Sequence, residues 1–465
     1  MIESISLRNF KAFSSLESLP LLPLTVLCGA NSCGKSSILQ SLLLWKQSLE
    51  SKAAGEIVRF NGRFVHLGSL LNVIYGHDTE SCVELSLTFV SAGTEAARIE
   101  QTYAVDLCLR DLAESGVFGN SVKLLRAHLT TRAGALPDQV IRMEEAGDKL
   151  FRISHGDTAR NRDAEATEGV LSEIEFAGLA PASIQPVDRS DQKAFLYIQE
   201  AFDSLRKLLR DTFTNTSYLG PLREEPSRRY IYEEEAADIG VKGENAAYVY
   251  LVDRYKPIAS PAYFIENDRL ILETSALSLS AALSKWLSLM SVYDLSPDQT
   301  DEIVRLTLRS NSSVGARVNI ADVGFGVSQV FPILLEGLRL PIGGTLILEQ
   351  PEIHLHPKLE LQLADFLLSL AMAGKRIIVE THSDHLVNRL VRRIVEDNDS
   401  TLKKLVGVYF VTPSPKGAEV ESVQMDETRG IVNWPSGFFD QGPSEQEKII
   451  RAGLDKRRRQ RSTNE

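Results

Sequence analysis

The chain has 465 residues, is 43% hydrophobic and carries a formal net charge of −11. This length suits one large domain or two to three ordinary ones. The acidic total argues against a protein that coats nucleic acid nonspecifically, although a local basic patch could still bind DNA. No apolar run reaches the roughly 18 residues of a membrane span, and no secretion signal follows Met1. We therefore expect a cytoplasmic protein without a membrane partner.

The first half of the chain alternates between strand-like and polar stretches. Residues 2–7 (IESISL) alternate apolar and polar side chains, which predicts a strand. Residues 24–45 begin as an apolar strand, pass a glycine-bearing turn and continue as a helix. Alternation dominates 56–155 and predicts a mainly antiparallel sheet. Residues 156–194 are polar and poor in aromatic side chains, which favours loops.

Helical periodicity returns in the middle of the chain, at 195–213, 244–254 and 277–290. A strand over 316–320 then leads through a glycine-containing loop into a further helix.

An alternation of strands and helices closes the chain. Strands are predicted at 345–349 and 376–380, and helices are predicted from Pro357 and over 385–396. The end, 456–465, is a basic and polar tail.

The cysteines point to a reducing compartment. Cys28, Cys33, Cys82 and Cys108 include no CxxC pair and have no histidine at zinc-site spacing. We therefore predict four free thiols, as in most cytosolic proteins.

Residues 29–36, GANSCGKS, match the phosphate-binding pattern GxxxxGK[ST]. The glycines allow a tight turn whose N–H groups point at phosphate oxygens, and the helix that follows adds its positive N-terminal dipole. Lys35 would reach the β- and γ-phosphates, and the Ser36 hydroxyl would bind Mg²⁺. The alternative is an ordinary glycine-rich turn. The predicted ATP ligands here are Asn31, Ser32, Gly34, Lys35, Ser36 and Ser37.

The order of motifs resembles compact ABC-type ATPases of the branch that contains RecF, SMC and the overcoming-lysogenization-defect proteins. The resemblance is carried by the phosphate loop and by four further stretches: 4-SISLRNFKAF-13, 322-DVGFGVSQVFPIL-334, 345-TLILEQPEIHLHP-357 and 380-ETHSDHL-386. The C-terminal stretch 429-RGIVNWPSGFFDQ-441 resembles an uncharacterised domain found behind a subgroup of these ATPases.

The resemblance implies an α/β fold: an ABC-type ATPase head with a mixed sheet around a P-loop core, an antiparallel β subdomain and a mainly helical insertion. It divides the chain into four parts: an N-terminal ATPase lobe at 1–155, the insertion at 156–310, a C-terminal ATPase lobe at 311–412, and an extension with a basic tail at 413–465.

Two heads of such ATPases sandwich two ATP molecules, so the resemblance implies a homodimer or higher oligomer. Gly326 and Ser328 begin a predicted helix, and their N–H groups would meet the γ-phosphate bound to the opposite head. The alternative for this segment is a plain helix N-terminus with a flexible glycine entry.

The segment after the strand 345–349 raises the question of the general base. Glu349 stands where the resemblance expects the acid that holds Mg²⁺, and Gln350 stands where most relatives have a catalytic glutamate. A carboxamide cannot accept a proton at neutral pH, but it can orient a water molecule. Three hypotheses remain open: Gln350 orients water and hydrolysis is slow, Glu352 or His382 supplies the base, or the protein holds ATP almost without hydrolysis.

His382 has two compatible interpretations. The resemblance makes it the γ-phosphate sensor, and its position before a predicted helix places it in an N-cap region, with Ser383 or Asp384 as the cap. Upstream, three arginines at 223, 228 and 229 could bind phosphate or form ion pairs with Glu224 and Glu225.

The resemblance implies a switch in bacterial anti-phage defence, in which the ATP state gates a separate effector such as a nuclease or toxin. No acidic nuclease constellation follows residue 390, and no sustained heptads separate the two lobes. The alternatives are a RecF-like repair ATPase that binds DNA and an ATP-bound scaffold that does not hydrolyse.

Overall fold

The computed structural model describes the chain over these ranges: 1–51, 56–78, 80–90, 99–109, 122–133, 138–147, 149–157, 169–187, 192–231, 238–310, 317–323, 325–433, 435 and 445–454. Among the helices found there, none combines the length and the apolar character needed to cross a membrane.

A six-stranded sheet forms the centre of the fold. Its strands are β3 (Leu24–Gly29), β11 (Thr216–Leu219), β18 (Thr345–Glu349), β19 (Arg376–Glu380), β20 (Val406–Ser414) and β21 (Gly417–Ser422). Their order is β11-β18-β19-β3-β20-β21, and every pair is parallel except β20 with β21. The parallel strands therefore end at one common edge, where their following loops meet.

A nine-stranded antiparallel sheet covers one side. Its strands are β1 (Ile2–Phe10), β2 (Phe13–Pro20), β4 (Val83–Val90), β5 (Ile99–Leu109), β6 (Val122–Ala133), β7 (Gln139–Gly147), β8 (Leu150–Asp157), β9 (Val170–Ala177) and β10 (Ala180–Pro186). Their order is β10-β9-β8-β7-β6-β5-β4-β1-β2. The side chains that alternate in β4 (Val83, Leu85, Leu87 and Phe89) are buried, as the period of two requires.

The remaining strands form small sheets. These strands are β12 (Tyr230–Ile231), β13 (Ala262–Glu266), β14 (Arg269–Glu273), β15 (Val292–Thr300), β16 (Ile303–Ser310), β17 (Arg317–Asn319), β22 (Met425–Asp426) and β23 (Gly430–Ile431). β12, β15, β16 and β17 share one sheet, β13 pairs with β14, and β22 pairs with β23.

Eight α-helices with named bounds lie within the described residues, and residues 445–454 are also helical. They are α1 (Lys35–Leu49), α2 (Leu70–Val73), α3 (Gln192–Thr214), α4 (Ala246–Asp253), α5 (Leu279–Leu289), α6 (Phe325–Arg339), α7 (Pro357–Met372) and α8 (Asp384–Val395). The helices predicted at 195–213, 244–254, 277–290 and 385–396 are confirmed, as is the helix that begins at Pro357.

The central sheet separates two hydrophobic cores because successive side chains of a strand point to opposite faces. Ile347 and Ile378 pack into the core shared with the antiparallel sheet, α1 and α3. Leu346, Leu348 and Ile377 pack on the other side, against α5 to α8. Both faces are thus covered, as a parallel sheet requires, and the predicted α/β fold with a P-loop core and an antiparallel subdomain is confirmed.

The segment 156–310 differs from the expected helical insertion. It holds α3, α4 and α5, but β9 and β10 extend the antiparallel sheet, and β11 is an edge strand of the central sheet. The loops predicted for 156–194 are wrong over Val170–Pro186, where β9 and β10 end the antiparallel sheet and polar side chains are tolerated on its solvent-exposed face. The division into four domains stays a prediction.

The prediction of four free thiols is wrong for one pair, because Cys82 and Cys108 form a disulfide. Val83 on β4 pairs with Leu107 on β5 in antiparallel register. Cys82, just before Val83, therefore faces Cys108, just after Leu107, at a Cα–Cα distance of 4.5 Å. Sequence separation hides this contact, which only the strand register creates. Cys28 and Cys33 are free and buried.

Much of the C-terminal extension lies outside the described residues, including the basic tail at 456–465. The part that begins it is integral to the central sheet. β20 pairs with the phosphate-loop strand β3, and the Ala418 N–H of β21 donates to the Ala12 carbonyl at 2.7 Å.

A buried ion-pair network joins α7 to α8, the helices that follow the two central strands β18 and β19. Asp365 is fully buried and accepts hydrogen bonds from Arg389 and Arg393, each with a closest distance of 2.7 Å. Asp268, in the β13–β14 turn, pairs with the same two arginines. The network therefore ties the hairpin to both helices.

Replacing Asp365 by Asn should destabilise the fold by about 3 kcal/mol, because the buried guanidinium of Arg393 would lose its buried counter-charge and keep only the exposed carboxylates of Asp268 and Glu396. The urea midpoint of unfolding measures this. The control is Glu445→Gln, which removes an ion pair to Lys448 whose two side chains are 65% and 67% exposed, and it should shift stability by less than about 0.5 kcal/mol. Equal shifts for the two variants would contradict the prediction.

Candidate nucleotide site

The phosphate loop joins β3 to α1 and depends on two glycines with positive φ. Gly29 has φ 142° and Gly34 has φ 113°. A Cβ atom on Gly29 would lie 2.3 Å from the Val411 carbonyl oxygen, and one on Gly34 would lie 2.9 Å from Ala12 Cβ. Both positions therefore admit only glycine, and the loop packs tightly between β20 and the turn after β1.

Lys35 begins α1 and lies against the loop. Its side chain is 3% exposed, and Nζ donates to the carbonyl oxygens of Gly29 at 3.1 Å and Ala30 at 2.6 Å. The ammonium group is thus held at the wall of the cleft by neutral acceptors. An anionic phosphate is a stronger acceptor and could replace these carbonyls as its partner.

A cleft of about 770 Å³ opens above this loop, within the usual size of small-molecule sites. Its lining contains all six predicted loop residues (Asn31, Ser32, Gly34, Lys35, Ser36 and Ser37), together with Gln350 and His382. Four other predicted residues are not among the described residues that line it: Glu349, Glu352, Gly326 and Ser328.

A wall of the cleft was missed by sequence reasoning. Lys11 follows β1, and its Nζ donates to Gln40 Oε1 at 2.7 Å. Asn72 and His77 also line the cleft. The Lys11 N–H donates to the Val73 carbonyl at 2.6 Å, which holds this loop in place. Lys11 lies inside the stretch LRNFKAF, but Asn72 and His77 carry no motif that marks them.

Glu349 ends β18, as predicted, but its carboxylate is engaged by a neighbouring strand. Oε1 accepts a hydrogen bond from the Tyr218 hydroxyl of β11 at 2.9 Å. Burial raises the pKa of Glu349 to about 7, and the nearby charge of Glu380 adds to the effect.

Glu380 is a second carboxylate at the same sheet edge, and the sequence analysis did not single it out. Its Oε1 accepts from the Ser36 hydroxyl at 3.0 Å, and it lines the cleft. Burial raises its pKa, while the Ser36 hydrogen bond and the Lys35 charge oppose that shift. Glu380 ends the apolar run RIIVE, just as Glu349 ends the apolar run TLILE. The same sequence pattern could therefore have identified both carboxylates.

Gln350 faces the cleft from a strained turn. Its φ is +43°, in the left-handed region that few non-glycine residues adopt. The Gln350 N–H donates to the Glu380 carbonyl at 2.7 Å. Arg223 donates to the carbonyls of Glu349 at 3.1 Å and Gln350 at 3.4 Å. These contacts supply the energy that keeps the strained turn.

Two of the three arginines make contacts other than the predicted ion pairs. Arg223 is 5% exposed and binds the backbone beside Gln350, and burial lowers its pKa to about 10. Arg228 forms an ion pair with Asp322 at 2.6 Å. Neither contact involves the predicted partners Glu224 and Glu225.

The segment after β19 holds His382 between two supports. Glu352 Oε1 accepts the His382 N–H at 2.6 Å, and Ser383 Oγ accepts the Leu386 N–H at 3.0 Å as the N-cap of α8. The capping interpretation is confirmed for Ser383. Burial and the charge of Lys35 lower the pKa of the His382 imidazole, so the ring is neutral at pH 7.

The first turn of α6 contains Gly326 and Ser328, as predicted. Neither is among the described residues that line the cleft above the phosphate loop.

The site fits a nucleotide-bound Mg²⁺. Among the described residues, no group of three His, Cys, Asp or Glu side chains is arranged to hold a metal ion alone. Mg²⁺ at a nucleotide instead uses one or two carboxylates together with phosphate oxygens. The Ser36 hydroxyl and the Glu380 carboxylate supply the hard oxygen donors that it prefers, and Glu380 Oε2 is buried without a hydrogen-bond partner.

The raised pKa of Glu349 predicts a pH-dependent stability. The Glu349 carboxyl keeps its proton in the folded protein at pH values where the unfolded chain, with the ordinary pKa of 4.5, has released it. The contribution of this group to the free energy of unfolding is therefore full below pH 4.5 and is lost as pH rises through about 7. In metal-free buffer, Glu349→Gln should therefore gain up to about 2 kcal/mol over wild type between pH 5.5 and 8.5. Urea unfolding across this range measures the gain, and Glu419→Gln, at an exposed position, should show none.

Comparison with solved structures finds distant similarities to SMC heads. The SMC head domain from Thermotoga maritima is 11% identical, with 91% of this chain and 99% of that chain covered and a TM-score of 0.41. The SMC head bound to the C-terminal winged-helix domain of ScpA is 10% identical, with 92% and 98% covered and a TM-score of 0.43. None of the curated proteins compared with the chain matches it.

Two family models match the sequence itself. The model described as an AAA ATPase domain matches residues 1–218 and 271–387, more than half of the chain. A model described as a protein of unknown function, DUF3696, matches residues 403–448, which confirms the predicted uncharacterised C-terminal domain. The chain therefore belongs to the AAA ATPase domain family.

Proposed function

We propose that the protein binds ATP with Mg²⁺, hydrolyses it slowly and uses the bound state as a switch. The observation that carries the proposal is the cleft itself, in which Lys35 and Ser36 of the phosphate loop face a carboxamide, Gln350. The loop N–H groups and the dipole of α1 would bind the phosphates. When bound with ATP, Mg²⁺ would neutralise charge on the β- and γ-phosphates.

Gln350 supports slow turnover. Its carboxamide can donate to and accept from a water molecule, but it cannot take the proton that the attacking water loses. The turn that carries it is held by the Glu380 carbonyl and by Arg223, so the side chain is positioned before ATP arrives. Phosphoryl transfer depends mostly on positioning and charge stabilisation, so hydrolysis is slowed and not abolished.

Of the two other candidates for the base, the geometry favours His382 over Glu352. His382 lines the cleft and is neutral at pH 7, so it can hydrogen-bond to the γ-phosphate or to water. Glu352 is turned toward the His382 N–H and is outside the lining. We assign Glu352 the role of holding the sensor segment in position.

A second copy of the chain would complete the site. Gly326 and Ser328 begin α6, where N–H groups and the helix dipole attract anions. Because they do not line their own chain's cleft, we propose that they contact the γ-phosphate bound to a partner head in a homodimer. ATP would then be part of the dimer interface, and its hydrolysis would remove that part.

The resemblance to the overcoming-lysogenization-defect branch supports the setting that we propose, which is cytoplasmic anti-phage defence. There the dimer would gate a separate effector protein, a nuclease or toxin. A second protein that co-purifies in fixed ratio, regardless of nuclease treatment, would support this setting. Salt-dependent binding of DNA by the purified chain alone would instead favour the RecF-like repair ATPase.

Replacing Gln350 by Glu should raise the turnover of ATP on the order of tenfold or more, because a carboxylate adds general-base catalysis. Phosphate release under saturating ATP measures the rate. The control is Lys35→Ala, which should remove activity by removing phosphate binding. Wild-type turnover no higher than that of Lys35→Ala would refute the ATPase and leave a scaffold. An unchanged rate in Gln350→Glu would place the base elsewhere.

Gly326→Asp should abolish ATP-dependent dimerisation while leaving ATP binding intact, because its carboxylate would repel the partner's γ-phosphate. The fold has room for a Cβ atom here, since it would lie 3.4 Å from its nearest neighbour, Leu359 Cδ1. Light scattering with a non-hydrolysable ATP analogue measures the mass. Gly326→Ala is the matched control and should still dimerise. A dimer that persists in Gly326→Asp would contradict the ATP sandwich.

A further inference from the structure

We propose that Glu380, together with Ser36, holds the cation that accompanies the bound nucleotide, in the place that the motif pattern gives to Glu349. This inference rests on the proposed function, since it presumes that a nucleotide and a divalent cation bind in the cleft. It assigns a cation ligand that lies outside the phosphate loop and outside the stretch LILEQPE.

Strand order puts Glu380 closer to the phosphate loop than Glu349. β19 lies between β18 and β3 and pairs in parallel with both. Glu380 is the register partner of Glu349 on one side and of Leu27 on the other. Adjacent strands are about 4.8 Å apart, so a carboxylate that ends β19 is one strand nearer to α1 than a carboxylate that ends β18.

The hydrogen bond between Ser36 and Glu380 prepares the hydroxyl for a cation. A serine hydroxyl has one proton and two lone pairs. The Ser36 proton is directed at Glu380 Oε1, 3.0 Å away. Both lone pairs of Ser36 Oγ therefore remain available on the other side of the oxygen, where a hard cation can accept one of them.

The second oxygen of Glu380 lacks a partner. The residue is 4% exposed, and Oε2 is buried without a hydrogen bond. An unpaired buried acceptor costs free energy, and a cation or one of its water ligands would satisfy it. Glu349 has no buried carboxylate oxygen that lacks a partner, and it does not line the cleft.

Charge gives the assignment a consequence that can be measured. Without a cation, the Glu380 carboxylate would face the phosphates and oppose their binding; with a cation, it would favour them. Cation and nucleotide therefore assist each other, and by linkage the coupling is the same in both directions. A residue that only supports the fold would not change this coupling.

The experiment compares wild type, Glu380→Gln and the matched control Glu349→Gln. The affinity for a non-hydrolysable ATP analogue is measured by calorimetry with Mg²⁺ and with chelator, and Mn²⁺ binding to each complex is measured by electron paramagnetic resonance. We expect Glu380→Gln to lower the affinity for Mn²⁺ by about 10- to 100-fold. In chelator, this variant should bind the nucleotide at least as tightly as wild type does. It should therefore lose most of the coupling between cation and nucleotide. Glu349→Gln should keep the coupling within about threefold.

Coupling that is kept in Glu380→Gln and lost in Glu349→Gln would overturn the proposal and return the cation to Glu349. Coupling unchanged in both variants would also overturn it. If Glu380→Gln does not fold, Glu380→Asp keeps the charge but withdraws it by one methylene. If this variant shows weaker coupling between cation and nucleotide, while its nucleotide affinity in chelator equals that of wild type, the proposal is supported. An unchanged coupling refutes it. Failure of the proposed function is distinct, since wild type itself would then bind no nucleotide.

Discussion

The parallel pairing of β19 with both β3 and β18 is the constraint on which the site depends. It brings the ends of three strands to one edge, so that Gly29, Glu349 and Glu380 lie on adjacent strands. Burial on both faces of this sheet removes water from the two carboxylates and raises their pKa values. The Ser36 hydroxyl donates to Glu380, the Tyr218 hydroxyl donates to Glu349, and the charge of Lys35 acts on Glu380. This arrangement gives the edge its chemistry.

The same edge stores backbone strain. Gln350 takes the left-handed conformation because the Glu380 carbonyl and the Arg223 guanidinium hold the turn on both sides. Glu352 extends the connection to the backbone of His382. Contacts among three separate stretches of the chain thus connect the residues that line the cleft to the start of α8.

Sequence reasoning succeeded where one short segment carries its own physics. The phosphate loop needs two glycines at fixed spacing, and the helices α3, α5 and α8 are recognisable from their periodicity alone. It failed where partners come from distant segments. Cys82 and Cys108 meet only through the register of β4 and β5. The strands over Val170–Pro186 extend the end of the predicted antiparallel sheet, and no local pattern shows that these polar residues join it.

The sequence by itself determined the family, the phosphate loop, the carboxylate that ends β18 and the glutamine that follows it, because each is a local pattern with a physical reason for its spacing. Only the tertiary structure decided which carboxylate reaches Ser36, because that depends on strand order and not on distance along the chain. It also decided that Asn72 and His77 share the cleft and that Arg223 holds the Gln350 turn. Strand order is set by the packing of two hydrophobic cores, which is a property of the whole chain.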